Sequence, residues 1–125
     1  MEITNTTLEV NRGNKLAFNF QIKNGDSMYT FDGTETITFA VYKASALNEE
    51  PLIEKDYTPD ADTDTFEISL TSEETKIGDL SNEPIAYWYE ITMNNETVLG
   101  YDKYGAKLFV VYPEGRVGNE SNNNG

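Results

Sequence analysis

Ile85-Ala86-Tyr87-Trp88-Tyr89-Glu90-Ile91-Thr92-Met93 is the stretch on which the fold turns. Its large residues Ile85, Tyr87, Tyr89, Ile91 and Met93 fall at every second position. That is the period of a strand with one face buried, whereas a helix would repeat every three to four residues. Upstream, Leu16, Phe18, Phe20 and Ile22 alternate with Lys15, Ala17, Asn19, Gln21 and Lys23. Ile37, Phe39 and Val41 alternate with Thr36, Thr38, Ala40 and Tyr42, and Phe66, Ile68 and Leu70 repeat the pattern. β-Branched and aromatic side chains dominate these runs, as a pleated, half-buried surface favours. Thr7–Val10, Ile53–Tyr57, Thr97–Leu99 and Lys107–Tyr112 read as further strands, 53–57 as an edge strand and the last closed by Pro113.

Turn chemistry separates the runs. Asn11-Arg12-Gly13-Asn14 predicts a hairpin between the first two strands, because its glycine can take the positive φ of a tight turn. Asn24-Gly25-Asp26 and Asp32-Gly33 carry the residues that hairpin turns require. Thr71-Ser72-Glu73-Glu74-Thr75-Lys76-Ile77-Gly78 breaks the alternation with an N-cap residue, an acidic first turn and a glycine stop, which predicts one or two helical turns. The expected fold is all-β: an antiparallel β-sandwich of about seven to nine strands with one short helical turn. Residues 1–6 are expected to form an N-terminal arm, 7–113 the sandwich, and 114–125 a flexible Asn-rich tail. Phe18, Phe20, Phe39, Val41, Phe66, Ile68, Ile91 and Phe109 are the expected core.

Composition narrows the chemistry. The 125 residues include no Cys and no His, which removes disulfides, thiolate nucleophiles, imidazole bases and the commonest transition-metal ligands. Twenty-two acidic residues against nine basic ones give a net charge of -13, the wrong sign for a phosphate backbone, so nucleic-acid binding is not expected. No apolar run has the length of a membrane span, and Met1-Glu2-Ile3-Thr4-Asn5 lacks the features of a secretion signal. The acidity is expected to keep copies soluble and mutually repelled, and to steer them toward a basic partner surface.

Several motifs have two readings. Alternate carboxylates at Asp60, Asp62 and Asp64 can converge on calcium, but an EF-hand loop needs Gly where Thr65 stands and Glu where Thr71 stands. A solvated acidic loop is the preferred reading, with no metal and no cofactor. Tyr87, Trp88 and Tyr89 could stack on sugar rings, yet alternation sends Trp88 to the face opposite its neighbours. The pairs Glu49/Glu50 and Glu73/Glu74 are adjacent in sequence, and glycosidase acids must face each other across a gap. No catalytic residue is assigned. Arg12 reads as a bidentate donor to a carboxylate or to carbonyl oxygens. Arg12, Arg116 and Asp60, Asp62 and Asp64 are the interface candidates.

The order of these signals resembles a known group. Leu8-x-Val10-x-Arg12-Gly13-Asn14, Phe31-Asp32-Gly33-Thr34, Ile37-Thr38-Phe39-Ala40-Val41-Tyr42-Lys43, Phe66-Glu67-Ile68-Ser69-Leu70, Tyr87-Trp88-Tyr89-Glu90-Ile91 and Phe109-Val110-Val111 follow one another as in the small immunoglobulin-like proteins of bacteriophage tails and virions, including the N-terminal domain of phage baseplate upper proteins. The likeness runs over residues 7–113. It implies an immunoglobulin-like form of the antiparallel sandwich and a non-enzymatic structural subunit of the virion, present in many copies and partnered by other virion proteins, at the baseplate, tail, collar or head. Its rivals are a carbohydrate-binding or adhesion module and a small bacterial surface domain.

Overall fold

The computed structural model describes residues 7–43, 49–78, 80, 82–100 and 105–114. These form β1 (Leu8–Asn11), β2 (Leu16–Phe20), β3 (Lys23–Asn24), β4 (Ser27–Met28), β5 (Ile37–Tyr42), β6 (Ile53–Tyr57), β7 (Phe66–Leu70), β8 (Ile85–Met93), β9 (Glu96–Leu99) and β10 (Lys107–Tyr112). The alternating runs of the sequence therefore become strands, and the short pair β3–β4 is the tight hairpin at Asn24–Ser27.

The longest strand organises the largest sheet. β8 lies centrally in the order β1-β10-β8-β5-β6, with β9 beside its C-terminal half. β2 and β7 form a separate two-stranded ribbon. Side chains from this ribbon and from the larger sheet share one core. Phe39, Val41, Ile68, Ile91 and Phe109 are sealed from solvent and Phe66 is buried with them. Phe18 and Phe20 are half-buried against this cluster rather than enclosed by it. Phe39 sits at its middle, 6.0 Å from the ring of Phe18, 5.7 Å from Tyr89 and 6.2 Å from Phe109. Edge-on and tilted ring packing of this kind adds to the burial of apolar surface.

Three expectations are corrected. First, β1 and β2 are not a hairpin. β1 pairs with β10 in parallel, Val10 opposite Val111, while β2 pairs with β7. The Asn11–Asn14 turn instead carries the chain from one sheet to the other, with Gly13 at φ +89° and Asn14 N–H donating to Asn11 C=O. Second, the parallel β1–β10 pair makes the larger sheet mixed, not purely antiparallel.

Third, no helix occurs among the described residues. Thr71–Gly78 does start like one: Thr71 N–H donates to Glu74 Oε1 and Glu74 N–H donates to Thr71 Oγ1, a reciprocal cap. Thr75 N–H reaches back to Thr71 C=O, and Lys76 N–H to Glu73 C=O. After that single turn the chain leaves through Gly78 at φ +71°, and one turn is too short to propagate a helix.

Two devices tie this turn to the sheets. Thr75, fully buried, accepts a hydrogen bond from Gly13 N–H and donates to Asn14 C=O. Tyr87, near the start of β8, places its hydroxyl directly against Gly78, so that any side chain at 78 would collide with it.

Candidate functional site

The carboxylates singled out in the sequence lie in a loop fixed by its own backbone. Phe31 N–H donates to Thr63 C=O and Asp62 N–H donates to Phe31 C=O, so the loop docks on the Phe31–Thr34 corner. Thr63 Oγ1 donates to Asp60 C=O, and Asp64 accepts from Thr65 Oγ1. Asp60, Asp62 and Asp64 are all solvent-exposed, and Asp62 adopts φ +66°. Among the described residues no group of three or more acidic side chains is placed to hold a metal ion.

Arg12 is engaged at home. Its guanidinium pairs with Glu114 at 2.9 Å and donates to the carbonyls of Gly78 at 3.3 Å and Lys76 at 3.5 Å. It thereby caps the turn after β7 and ties it to the end of β10, the donor role read for it in the sequence. Arg116 lies outside the described residues, as do the expected arm 1–6 and the tail from 115 onward.

One acid was missed by sequence reasoning. Glu35 is 1% exposed, and its carboxylate accepts from Tyr29 Oη at 2.6 Å, from Asp32 N–H at 3.0 Å and from Gly33 N–H at 3.2 Å. Burial by itself would raise the Glu35 carboxyl, but these donors outweigh it and hold it below the ordinary carboxylate value. The signal was available. Residue 35 is in phase with Ile37, Phe39 and Val41, the inward positions of β5. Every acceptor contact of Glu35 is to its own corner, so it braces the loop that carries Asp32–Thr34.

The arrangement with most capacity to meet another molecule is the outer face of the large sheet. Inward, β8 presents Tyr87, Tyr89 and Ile91, all buried, and burial pushes the Tyr89 hydroxyl up to about 12. Outward, it presents Trp88, half-buried, in register with Leu108 of β10 on one side and Tyr42 of β5 on the other. Leu108 and Tyr42 are half-buried too, and Val110 and Tyr112 extend the apolar surface along β10. Carboxylates border it. Tyr42 Oη donates to Glu90 and Tyr112 Oη donates to Glu9. Burial first, and then Glu90, raises the Tyr42 phenol, and the hydrogen bond to Glu9 raises that of Tyr112, so both remain protonated donors at neutral pH.

Three adjacent strands thus offer a Tyr–Trp–Leu row facing away from the core. Comparison of the chain with protein-family models, with curated proteins and with solved structures found no match.

Proposed function

We propose that the chain is a non-enzymatic structural subunit of a bacteriophage virion, an immunoglobulin-like β-sandwich that acts by docking one sheet face against neighbouring virion proteins. The observation that carries the docking is the outward row Tyr42–Trp88–Leu108. Trp and Tyr are the residues most often found at the energetic centre of protein interfaces, and the bordering carboxylates supply the polar rim such surfaces have. Strand order supports the sandwich: β2–β7 packs across a sheet whose first strand runs parallel to its last. Tyr87, at the start of β8 with its hydroxyl against the preceding connection, supports it as well, in the manner of the tyrosine corner of immunoglobulin-like domains.

The phage assignment draws on the resemblance over residues 7–113, and its direct test is electron microscopy of virions labelled with an antibody against the chain. Regularly spaced label on tail, baseplate, collar or head is the expected outcome. Virions that carry the gene yet take no label would overturn the assignment. Trp88 is the chain's one tryptophan, so its emission reports what covers this face. A shift on adding oligosaccharides, and none on adding virion proteins, would favour the carbohydrate-binding alternative.

A further inference from the structure

We infer that the outer edge of β2, which no described strand pairs, is a second docking site, which takes an extended segment of a partner protein by strand addition, with apolar side chains at alternate positions and carboxylates toward its ends.

The backbone sets the geometry. Tyr57 Oη accepts from Ser69 N–H at 3.3 Å and donates to Ser69 C=O at 2.9 Å, so both groups of Ser69 point away from β2. Ser69 is in register with Ala17. In an antiparallel ladder the two members of such a pair both turn their N–H and C=O outward, and the pairs alternate. Ala17 and Asn19 therefore direct their backbone groups to the open side of β2. Both residues are exposed.

The two edges of the ribbon differ. On the β7 side, the Tyr57 hydroxyl and the Lys55 ammonium, which donates to Ser69 C=O at 2.8 Å, occupy the outward groups of Ser69 that an incoming strand would need. Among the described residues no comparable device stands on the β2 side. Residues 15–21 contain no proline, and among the described residues no side chain is hydrogen-bonded to the outward groups of Ala17 or Asn19. Beside that edge Leu16, Phe18 and Phe20 remain half-buried, so an added strand would complete their burial.

Charge selects the occupant. In a chain of net charge -13, residues 10–25 contain Arg12, Lys15 and Lys23 and no acid. Arg12 is held by Glu114, whereas Lys15 and Lys23 flank β2, exposed and in no ion pair among the described residues. The same two cations oppose a second copy of β2 laid along the edge, and Glu67, opposite Asn19 and so one strand removed from the incoming one, adds a longer-range repulsion to a carboxylate at the middle of that strand. A segment that is apolar on one side, neutral at its centre and acidic at its ends meets all three conditions. Main-chain bonds would give affinity and the alternate side chains specificity, as in other strand-addition complexes.

The test uses the full chain with the synthetic peptide Glu-Val-Thr-Val-Thr-Val-Glu, with Lys-Val-Thr-Val-Thr-Val-Lys as control. Fluorescence polarisation gives affinity, and two-dimensional NMR follows the Ala17 and Asn19 amides. The Glu-ended peptide should bind and shift those two amides, and the Lys-ended peptide should bind about tenfold more weakly, the size expected for two exposed pairs turned from attraction to repulsion. Asn19→Pro removes an outward N–H without touching the β2–β7 bonds and should abolish binding. Lys15→Glu with Lys23→Glu leaves the backbone intact and should reverse the peptide preference, so the inference stays testable if the proline variant unfolds. Equal affinity for both peptides, binding with the two amides unmoved, or no binding would overturn it. So would self-association of the chain that Asn19→Pro removes, since the occupant would then be a second copy.

Discussion

The two faces of β8 share a backbone and differ in almost everything else. Tyr87, Tyr89 and Ile91 face the β2–β7 ribbon and are enclosed, with Tyr89 stacked near Phe39 and its hydroxyl pushed up by burial. Trp88 and Glu90, one residue out of phase, are half-buried on the opposite side among Tyr42, Leu108 and Thr97. A strand in a sheet covered on one side is expected to alternate apolar inward with polar outward. Here the outward positions carry an aromatic row. The inner face builds the core, and the docking proposed above would use the outer row.

The inner face gives the largest effect. Phe39→Ala would leave a void among Phe18, Tyr89 and Phe109 and should cost about 3–5 kcal/mol in denaturant unfolding. A loss below about 1 kcal/mol would mean that the core is centred elsewhere.

Next comes the corner that supports the inner end of β5. Glu35→Gln removes the charged acceptor of Tyr29 Oη and of two backbone N–H groups, and turns an amide donor toward them. A fall in melting temperature of about 5 °C or more at neutral pH is expected. The pH dependence has a definite sign. Glu35 and Glu74 both have folded values lowered from 4.5, Glu74 chiefly because Thr71 N–H donates to it. The unfolded chain therefore binds more protons in that window. Their contribution is fully present above about 4.5 and is lost as pH falls through the folded values. Glu35→Gln should flatten that acid limb, and thermal melts between pH 7 and 3 would show it. An unchanged acid limb would mean that the corner does not couple to folding.

Strand positions were legible in the sequence because alternation is local and each face is marked by its own residues. Leu16–Phe20, Phe66–Leu70 and Ile85–Met93 fall within the runs from which they were read. Partner choice was not legible. Leu8 meets Phe109 across about a hundred residues of chain, and nothing near Asn11–Asn14 distinguishes a hairpin from a crossing between sheets. The capped turn at Thr71–Gly78 was signalled by its Thr and Glu, but how far a helix would continue depended on where the sheet drew the chain. Among the candidate residues, Arg12 is legible by its chemistry, whereas Trp88 is assigned by its phase to the face opposite Tyr87 and Tyr89 without being marked as an interface residue. Glu35 was hidden, because an acid at an inward position looks like an exposed one until its donors are seen.

The outer face gives the smallest effect on stability and the sharpest test of the account. Trp88→Ala should lower unfolding free energy by about 1 kcal/mol or less, since its ring is only half-buried. The deciding measurement is incorporation of Trp88→Ala into phage particles in competition with the unaltered chain, scored by mass spectrometry of purified virions, with a thermal melt of the isolated variant alongside. The account predicts a melt within a few degrees of the unaltered chain and incorporation reduced about tenfold or more, as expected when an aromatic anchor is truncated. Uptake of the variant at the same level as the unaltered chain would contradict it.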